Sequence, residues 1–398
     1  MPFIIIRTLI FLSLAHFLVD FMIGIWAIYK TLAHLDLFMA GIISGAGAFL
    51  GEGMQIFFGP LSDKGWRKQL ICAGVLIAAS SLFLGYFTNY WMFLILYVAT
   101  CLGSGAFHPS AVSLAGALTS HRKAFMITIF AAGGAFGLAC SQMVFTYLHT
   151  WFNDSIGLLM IPTILLTLGL IFFGLKDSQY FTPLYPSHNI NLKALFAMFK
   201  QRNLRLLYIA QVSNQTIFWA TIFFLPDTLM CKGYDTWLCY GGGHLFFILG
   251  GAFMMIPSGY LSDRFSPKFI LVFATFGAMV AFYMFLLFPV MNNLLFISLI
   301  FTLGAFLSTI NPVIIAYGNI LVPESPGMVS AFLMGMAWCI SEGIGQSGGG
   351  FIANFFEEHA PVYALCILGI FYAVGIFATL LLPNAKKEVF RFKNEVLG

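Results

Sequence analysis

Three ionisable side chains, two histidines and an aspartate, lie in strongly apolar parts of the sequence. His16 and Asp20 are four residues apart, so they project from the same face of a helix. His108 follows an apolar stretch that contains glycine, and it adds a second imidazole. Because a histidine beside a carboxylate can exchange protons near pH 7, we expect His16, Asp20 and His108 to serve in proton coupling.

The composition shows which elements must hold these groups. Of 398 residues, 60% are hydrophobic and 9% are charged, whereas an ordinary soluble domain has about 25% charged residues. We therefore predict an all-α polytopic membrane protein with twelve transmembrane helices in two pseudo-symmetric six-helix bundles. Windows of the length that crosses a bilayer place these helices at residues 3–29, 36–58, 69–88, 90–113, 124–149, 155–175, 204–228, 240–261, 268–289, 293–318, 328–355 and 361–382.

Two more carboxyl groups fall inside the predicted helices. Glu52 lies between two glycines, and Glu342 lies in another glycine-rich stretch. A charge in the hydrocarbon is costly unless it is paired, protonated or faces water, so we add both residues to the proton-coupling candidates. The alternative is that Asp20, Glu52 and Glu342 hydrogen-bond neighbouring helices and only hold the bundle together.

Charge placement predicts the orientation, because Lys and Arg near helix ends are retained on the cytoplasmic side. With the N-terminus inside, only Lys30 and Lys232 of the 19 basic residues fall on the outer side. We expect a bacterial inner-membrane protein with both termini in the cytoplasm, and the net charge of +4 then needs no nucleic-acid partner. The predicted divisions are an N-terminal bundle at 1–176, a cytoplasmic linker at 177–203, a C-terminal bundle at 204–383 and a cytoplasmic tail at 384–398.

An internal repeat supports the division into two similar halves. The sequence GPLSDK at residues 59–64 recurs as GYLSDR at 259–264, with Gly, Leu, Ser and Asp each displaced by 200 positions. Parallel halves related by an axis along the membrane normal produce such a pattern. Weaker echoes align His16 and Asp20 with Gln211 and Gln215, and His108-Pro109 with Asn311-Pro312.

The repeated loop carries charges that can join two helices. Asp63 lies beside Arg67 and Lys68, and the second copy has Asp263 with Arg264. Charge-assisted hydrogen bonds from these residues would form a conformational latch that closes in one state and breaks in the other. The alternative is that Asp63 only stabilises a tight turn.

The loop motif resembles the loop between helices 2 and 3 of the major facilitator superfamily. Within that superfamily, HFLVD at 16–20, GSGAFHP at 103–109 and PESPGMVSAFLMGMAW at 323–338 resemble the fosmidomycin-resistance branch. The resemblance implies secondary transport by alternating access, and in that branch chiefly proton-driven efflux of a drug or metabolite. It also points to His16, Asp20 and His108 as functional residues.

The sequence departs from that branch at three places. Ser110 stands where the branch usually carries Glu, Trp26 to Tyr29 replace a proline-rich run, and Gln142 follows a glycine-rich motif that lacks the usual Pro. These departures keep a second function open, which is uptake of a metabolite or siderophore by the same fold. A receptor or scaffold without transport is a third possibility, and it would tolerate loss of the acidic residues and the loop motif.

A substrate cavity would lie between the predicted bundles. No Lys or Arg falls in the interior of a predicted helix, away from its ends, which favours a cationic, zwitterionic or neutral amphiphile over an inorganic anion. Glycines at 133 and 137 have the spacing of close helix crossings, and we expect them to pack. Polar and aromatic residues that we expect to line the cavity are Trp26, Gln55, Gln215, Trp219, Asn311 and Trp338.

The sequence carries no sign of enzyme chemistry. It has no Walker A loop for ATP, no nucleophile elbow and no Cys or His cluster with metal-ligand spacing, so we expect no cofactor and no metal site. We expect a monomer whose partners are a small-molecule substrate, protons and the lipid bilayer. Cys231 and Cys239 fall in one outer loop, where a disulfide is chemically permitted, and the alternative is two free thiols.

Overall fold

The computed structural model describes residues 3–119, 123–152, 155–175, 192–322 and 326–383. Helices and short turns fill these ranges, and they contain no β-strand. Most of the predicted linker and the whole predicted tail lie outside them. The chain divides into two compact units, one made of residues 1–189 and 235–245 and the other of residues 190–234 and 246–398.

The helices of the first unit begin where polar side chains can cap them. The Asp36 side chain accepts a hydrogen bond from the Met39 amide at 2.8 Å, and the Asn89 side chain accepts one from the Met92 amide at 2.9 Å. Each cap satisfies an amide that has no partner within its own helix. The helices are α1 (Phe3–Leu32), α2 (Leu37–Leu50), α3 (Gln55–Leu61), α4 (Arg67–Ala78), α5 (Tyr90–Ala117), α6 (Lys123–Trp151) and α7 (Met160–Gly169).

The segment predicted as one helix at 36–58 is interrupted. A 3₁₀ turn at Glu52–Met54 separates α2 from α3. Gly51 allows the chain to approach Cys101 of α5 so closely that a Cβ there would overlap the cysteine backbone. The interruption therefore places Glu52 against α5 and not in a regular helix.

The helices of the second unit are capped in the same way. The side chains of Ser266 and Asn292 each accept a hydrogen bond from the backbone amide three residues later. The unit contains α8 (Leu192–Ala197), α9 (Arg202–Lys232), α11 (Pro267–Leu287), α12 (Asn293–Leu321), α13 (Pro326–Ser330), α14 (Ala337–Glu342), α15 (Gly349–Ala353), α16 (Ala360–Leu368) and α17 (Ile370–Leu380). Helix α10 (Gly243–Arg264) has its first turn in the first unit and the remainder in the second.

Nine stretches in the described residues are long and apolar enough to cross a membrane. One of them, Leu37–Tyr86, has 50 residues and contains two of the predicted segments. Helix α9 spans 31 residues but is too polar to be among the nine, and the apolar part of α10 is shorter than the others. Counting these gives the twelve predicted segments, and the fold class is that of an all-α polytopic membrane protein.

Close packing of α1 on α6 fixes the geometry of the first unit. A Cβ at Gly133 would overlap the Ser13 carbonyl oxygen, and a Cβ at Gly137 would overlap the Phe17 carbonyl oxygen. The two backbones can approach this closely because both positions lack a side chain. The predicted packing role of Gly133 and Gly137 is confirmed, and it brings α6 directly against the face of α1 that carries His16.

One basic residue lies deeper than the sequence predicted. Lys30 was assigned to an outer loop, but α1 continues through it and its side chain is buried, with 1% exposure. Its Nζ atom donates to the Thr31 hydroxyl at 3.1 Å. Lys30 therefore belongs to the last turn of α1 and not to the loop that follows it.

Candidate functional site

His16, Asp20 and His108 meet in the interior of the first unit, and we call them the His-Asp-His cluster. The Nε2 atom of His16 lies 3.2 Å from Asp20 Oδ2 and 3.2 Å from Nε2 of His108. The Nε2 atom of His108 lies 3.1 Å from Asp20 Oδ1. Each side chain is therefore within hydrogen-bonding distance of the other two.

Three helices position the cluster. Helix α1 supplies His16 and Asp20 one turn apart, and α5 supplies His108. The Phe130 ring of α6 stacks on His16 with 4.2 Å between ring centroids, and Phe107 of α5 packs on the same imidazole at 5.9 Å. Gly134 of α6 leaves the remaining space open, since a Cβ there would overlap His16 Nε2 and Asp20 Oδ2.

Backbone carbonyls determine which nitrogen of each ring carries hydrogen. The Nδ1 atom of His16 lies 2.8 Å from the Phe130 carbonyl oxygen, and that of His108 lies 3.0 Å from the Ser104 carbonyl oxygen. A carbonyl oxygen only accepts, so we assign the hydrogen of each neutral ring to Nδ1. Both Nε2 lone pairs then point at each other and at the Asp20 carboxylate. A proton or another cation between these acceptors would be shared by all three side chains.

The cluster is enclosed but not sealed. The His16 side chain is 9% exposed, that of Asp20 is 20% exposed and that of His108 is 28% exposed. The largest exposure belongs to the side chain from α5, so a proton or another small ion can approach from that direction.

Glu52 lies next to the cluster. Its carboxylate accepts from the Gln55 amide and from the Ser104 side chain. The Ser104 hydroxyl is also 3.0 Å from Nδ1 of His108. Ser104 therefore joins Glu52 to His108, and the predicted cavity residue Gln55 holds the other side of the same carboxylate.

The corresponding positions of the second unit carry amides in place of ionisable groups. The Gln211 amide of α9 donates to Asn311 Oδ1 of α12 at 2.5 Å. In the repeat these residues align with His16 and His108, so the same contact occurs in both halves. Gln215, aligned with Asp20, is buried at 5% exposure. A neutral polar cluster thus replaces the His-Asp-His cluster in the second unit.

Further polar groups are buried in the second unit. Glu342 is buried and accepts from the Gln346 amide at 3.3 Å. The indole nitrogens of Trp219 and Trp338 are buried without a hydrogen-bond partner among the described residues, and so is Oε1 of Gln211. Buried donors and acceptors in this condition are costly unless a ligand or water pairs with them, which suits residues that bind a polar substrate.

The repeated loop forms its contacts within the first unit. Arg67 is 4% exposed, and its Nη2 atom lies 3.6 Å from Asp63 Oδ1 and 3.2 Å from the Ser113 hydroxyl of α5. Gly65 has a φ of 103°, which a residue with a side chain rarely adopts, and it provides the turn between α3 and α4. Lys68 Nζ donates to the Ile171 carbonyl oxygen at 3.3 Å.

The second copy of the loop makes fewer contacts among the described residues. Arg264 lies at the end of α10, with its guanidinium 5.9 Å from the centroid of the Phe265 ring. The side chain of Asp263 lies outside the described part of the chain.

A family model of the Major Facilitator Superfamily matches residues 9–346 and, in a second overlapping match, residues 245–396. The chain belongs to the Major Facilitator Superfamily. Members of this superfamily are transporters, so the protein is a multi-pass membrane transporter of small molecules and not an enzyme. No curated protein matches the sequence.

Solved transporters share the fold at low sequence identity. A bacterial homologue of the human lysosomal transporter Spinster, inward-facing and occupied, has a TM-score of 0.75 at 15% identity, covering 97% of this chain and 96% of that one. The nucleoside transporter NupG has 0.74 at 13% identity, covering 95% and 99%. The E. coli fucose:proton symporter FucP has 0.62 at 16% identity, covering 93% and 97%.

In this major facilitator protein, one predicted cavity residue belongs to the core. Trp26 is 1% exposed and packs against Tyr97, Phe93 and Tyr29, with the nearest ring centroids 5.1 Å apart. Its indole nitrogen donates to the Ser44 hydroxyl at 2.8 Å. With its only donor satisfied and its ring enclosed, Trp26 has a packing role in this structure, because an aromatic residue in an apolar helix can serve either purpose.

Two cysteines lie in the loop that the sequence predicted to face outward. No disulfide joins Cys231 and Cys239 in this structure. The Cys231 sulfur lies 2.9 Å from Nδ1 of His359, and Cys239 is buried at 3% exposure.

Several residues at the site were missed in the sequence. The repeat aligned Gln211 with His16, and that alignment was sufficient to include Gln211 among the candidate site residues. Gly134 follows Gly133, whose packing spacing was noted, but nothing in the sequence shows that it borders the cluster. Phe130 contacts His16 through both its ring and its backbone carbonyl, and nothing distinguishes it in the sequence from the other phenylalanines of apolar helices.

Proposed function

We propose that this protein is a proton-coupled secondary transporter that works by alternating access and exports a small drug-like or metabolite substrate. The His-Asp-His cluster holds the proton, with Glu52 as a nearby second acceptor. Glu342 provides the corresponding acidic group of the second unit. The fosmidomycin-resistance branch, with proton-driven efflux, is part of this proposal.

The convergence of acceptors in the His-Asp-His cluster is the observation that supports coupling best. With Nδ1 of both rings donating to backbone carbonyls, a single proton between His16, Asp20 and His108 is shared by three acceptors. Loss of that proton leaves lone pairs facing one another at 3.1–3.2 Å. The three side chains then repel one another and separate, and α1 and α5, the helices that carry them, move with them.

The neutral polar cluster of the second unit supports separate roles for the two units, one in binding the proton and the other in binding the substrate. Gln211, Asn311, Trp219 and Trp338 offer hydrogen-bond donors and acceptors without titrating, so their affinity for a ligand does not depend on bound protons. In this proposal the first unit binds the proton and the second unit binds the polar part of the substrate. Gln55 and Gln215 complete the polar surface of each unit.

Uptake is the second candidate, and Ser110 supports it. Where the efflux branch usually has a carboxylate after the FHP motif, this chain has a hydroxyl that is fully buried, with 0% exposure. FucP, a fucose:proton symporter, has the same fold, so that fold accommodates proton-driven uptake. The flux experiment below therefore measures the direction of substrate transport.

The loop residues Asp63, Arg67 and Lys68 form the proposed latch, with Asp263 and Arg264 as its second copy. Asp63 is 53% exposed and Arg67 is 4% exposed. The buried guanidinium is held by α5 whether or not the carboxylate stays in place. A carboxylate on the outside of such a pair can leave without unfolding the loop, which suits a contact that breaks during the cycle. We further propose a monomer with both termini in the bacterial cytoplasm.

Proteoliposome flux tests the proposal. Purified protein is reconstituted, and a panel of cationic, zwitterionic and neutral amphiphiles is assayed with a pH gradient of either sign and without one. We expect at least one compound to move against its gradient when protons flow the opposite way. Asp20→Asn and His108→Gln should abolish this accumulation, while His359→Asn, on an exposed histidine, should leave it unchanged.

Accumulation in the same direction as the protons would replace efflux by uptake. Accumulation that survives both Asp20→Asn and His108→Gln would refute the coupling site. Substrate exchange without a pH gradient provides the folding control, because that reaction does not require the proton to drive net movement.

A further inference from the structure

We propose that the His-Asp-His cluster binds a divalent first-row transition-metal ion in place of the shared proton, which makes such an ion a ligand of this transporter. The proposal rests on the proposed function only for the exchange of the metal ion against a proton. The sequence predicted no metal site, because the three ligands are 4 and 88 residues apart and match no ligand spacing. The fold brings them together, with all three donor atoms within 4.8 Å of one another.

The distances fit a metal ion. Two imidazole nitrogens and the Asp20 carboxylate form a triangle with edges of 3.1–3.2 Å, in which Asp20 presents one oxygen to each ring. Ligands about 2.0–2.1 Å from a tetrahedral ion are about 3.3 Å apart. The two imidazole nitrogens, 3.2 Å apart, therefore need to move by only roughly 0.1–0.2 Å to reach this separation. Asp20 would bind the ion through one of its two oxygens after a small rotation of its carboxylate.

The hydrogen bonds around the cluster are those of a metal-binding histidine. Such a histidine usually donates its second ring N–H to a carboxylate or a backbone carbonyl, which fixes the tautomer and aims the other nitrogen at the ion. His16 does this through the Phe130 carbonyl and His108 through the Ser104 carbonyl. Both Nε2 lone pairs point to the same place as the Asp20 oxygens. A proton can bridge two of these acceptors at a time, whereas a metal ion binds all three.

Charge and space also favour a divalent ion. Asp20 and Glu52 carry two formal negative charges when ionised, and both imidazoles are neutral in the assigned tautomers. A bound proton leaves one of these charges unbalanced, and a divalent cation balances both. Gly134 provides the volume, since any side chain at that position would occupy the space beside His16 Nε2 and Asp20 Oδ2.

The donor set determines the class of ion. Imidazole nitrogen with carboxylate oxygen suits Zn²⁺, Co²⁺, Ni²⁺ and Fe²⁺, while Mg²⁺ and Ca²⁺ prefer oxygen alone and Cu⁺ prefers sulfur. Three protein ligands leave a coordination position open, as in sites that exchange what they bind. The His108 side chain is 28% exposed, so the packing around the cluster does not close it off completely.

Metal binding to the full-length protein in detergent or nanodiscs tests the proposal. Zn²⁺ is titrated by calorimetry and Co²⁺ by visible absorption, whose intensity distinguishes tetrahedral from octahedral coordination. We expect one ion to bind per chain. The affinity should be at least about 100-fold weaker in Asp20→Asn and in His108→Gln, because loss of even an outer-shell partner can weaken metal binding by up to about 100-fold. His359→Asn is the matched control, because the Cys231–His359 contact at 2.9 Å is the most prominent other pair of metal-binding groups.

X-ray absorption of the Zn²⁺-bound wild type keeps the test valid if a cluster variant does not fold. Two imidazoles and oxygen in the first shell support the proposal. Sulfur ligation, binding that survives both cluster variants, binding that disappears in His359→Asn, or no saturable binding would overturn it. The proposed function fails separately: proton-driven flux that is independent of Asp20 refutes coupling even if the metal ion binds.

Discussion

Gly134→Ala tests the His-Asp-His cluster without removing any of its ligands. The added methyl group overlaps His16 Nε2 and Asp20 Oδ2, so one of these side chains must turn away from the shared cation. A hydrogen bond to a charged group contributes about 1.5–3 kcal/mol, so its loss weakens cation binding roughly 10- to 140-fold. We expect proton-driven flux at subsaturating proton concentration to fall by that factor.

The same substitution should leave the protein folded. Overpacking costs about 1–3 kcal/mol, and alanine in a helix returns about 1 kcal/mol relative to glycine. The net change is small enough that Gly133 and Gly137 keep α1 against α6. Loss of function therefore cannot be attributed to loss of the bundle, and we expect the melting temperature to change by only a few degrees.

The assay compares Gly134→Ala with Gly335→Ala in proteoliposomes. A Cβ at Gly335 meets no atom within 4 Å, so this control adds a methyl group without a contact. Initial rates are measured with a pH gradient and as exchange without one. Gradient-driven flux of Gly134→Ala within twofold of wild type would show that the cluster does not carry the coupling proton, and equal losses in both variants would show that the methyl group acts elsewhere.

Three further predictions concern the core, the loop and the second unit. Trp26→Ala should lower the free energy of unfolding by about 3–5 kcal/mol, and Trp26→Phe, which loses the bond to Ser44, by about 1 kcal/mol; an unchanged melting curve for Trp26→Ala would contradict the packing role. Asp63→Asn should lower the free energy of unfolding by less than about 1 kcal/mol and still change the populations of the inward-facing and outward-facing states, as measured by electron spin distance measurements. Arg67→Ala, which loses a buried group, should lower the free energy of unfolding by about 1–3 kcal/mol. Gln211→Leu should raise the half-saturating substrate concentration about tenfold with the proton stoichiometry unchanged, and a changed stoichiometry would refute the separate roles of the two units.

The internal repeat made the most informative part of the site predictable. It aligned His16 with Gln211 and His108 with Asn311, and in the structure His16 contacts His108 just as Gln211 contacts Asn311. The alignment is informative because two halves with the same fold place equivalent positions of the first and fourth helices side by side. The fold class and most of the spans were also predictable, since a long apolar segment is what can cross a bilayer.

Other features could not be predicted because they depend on contacts between distant residues. Trp26 and Trp219 are both tryptophans in apolar helices, yet the indole nitrogen of Trp26 donates to Ser44 and that of Trp219 has no partner among the described residues. The tautomers of His16 and His108 depend on backbone carbonyls, which the sequence does not distinguish. The break at Glu52 depends on how closely Gly51 approaches α5.

The polarity of α9 has a consequence for how the protein is made. Gln211, Asn214 and Gln215 are buried in a helix that is more polar than the nine apolar spans. The amide NH2 groups of Gln211 and Asn214 donate to Asn311 Oδ1 and the Leu307 carbonyl of α12, about a hundred residues later in the chain. Because these donors find their partners only when α12 is present, we expect stable insertion of α9 to depend on a helix that is synthesised much later.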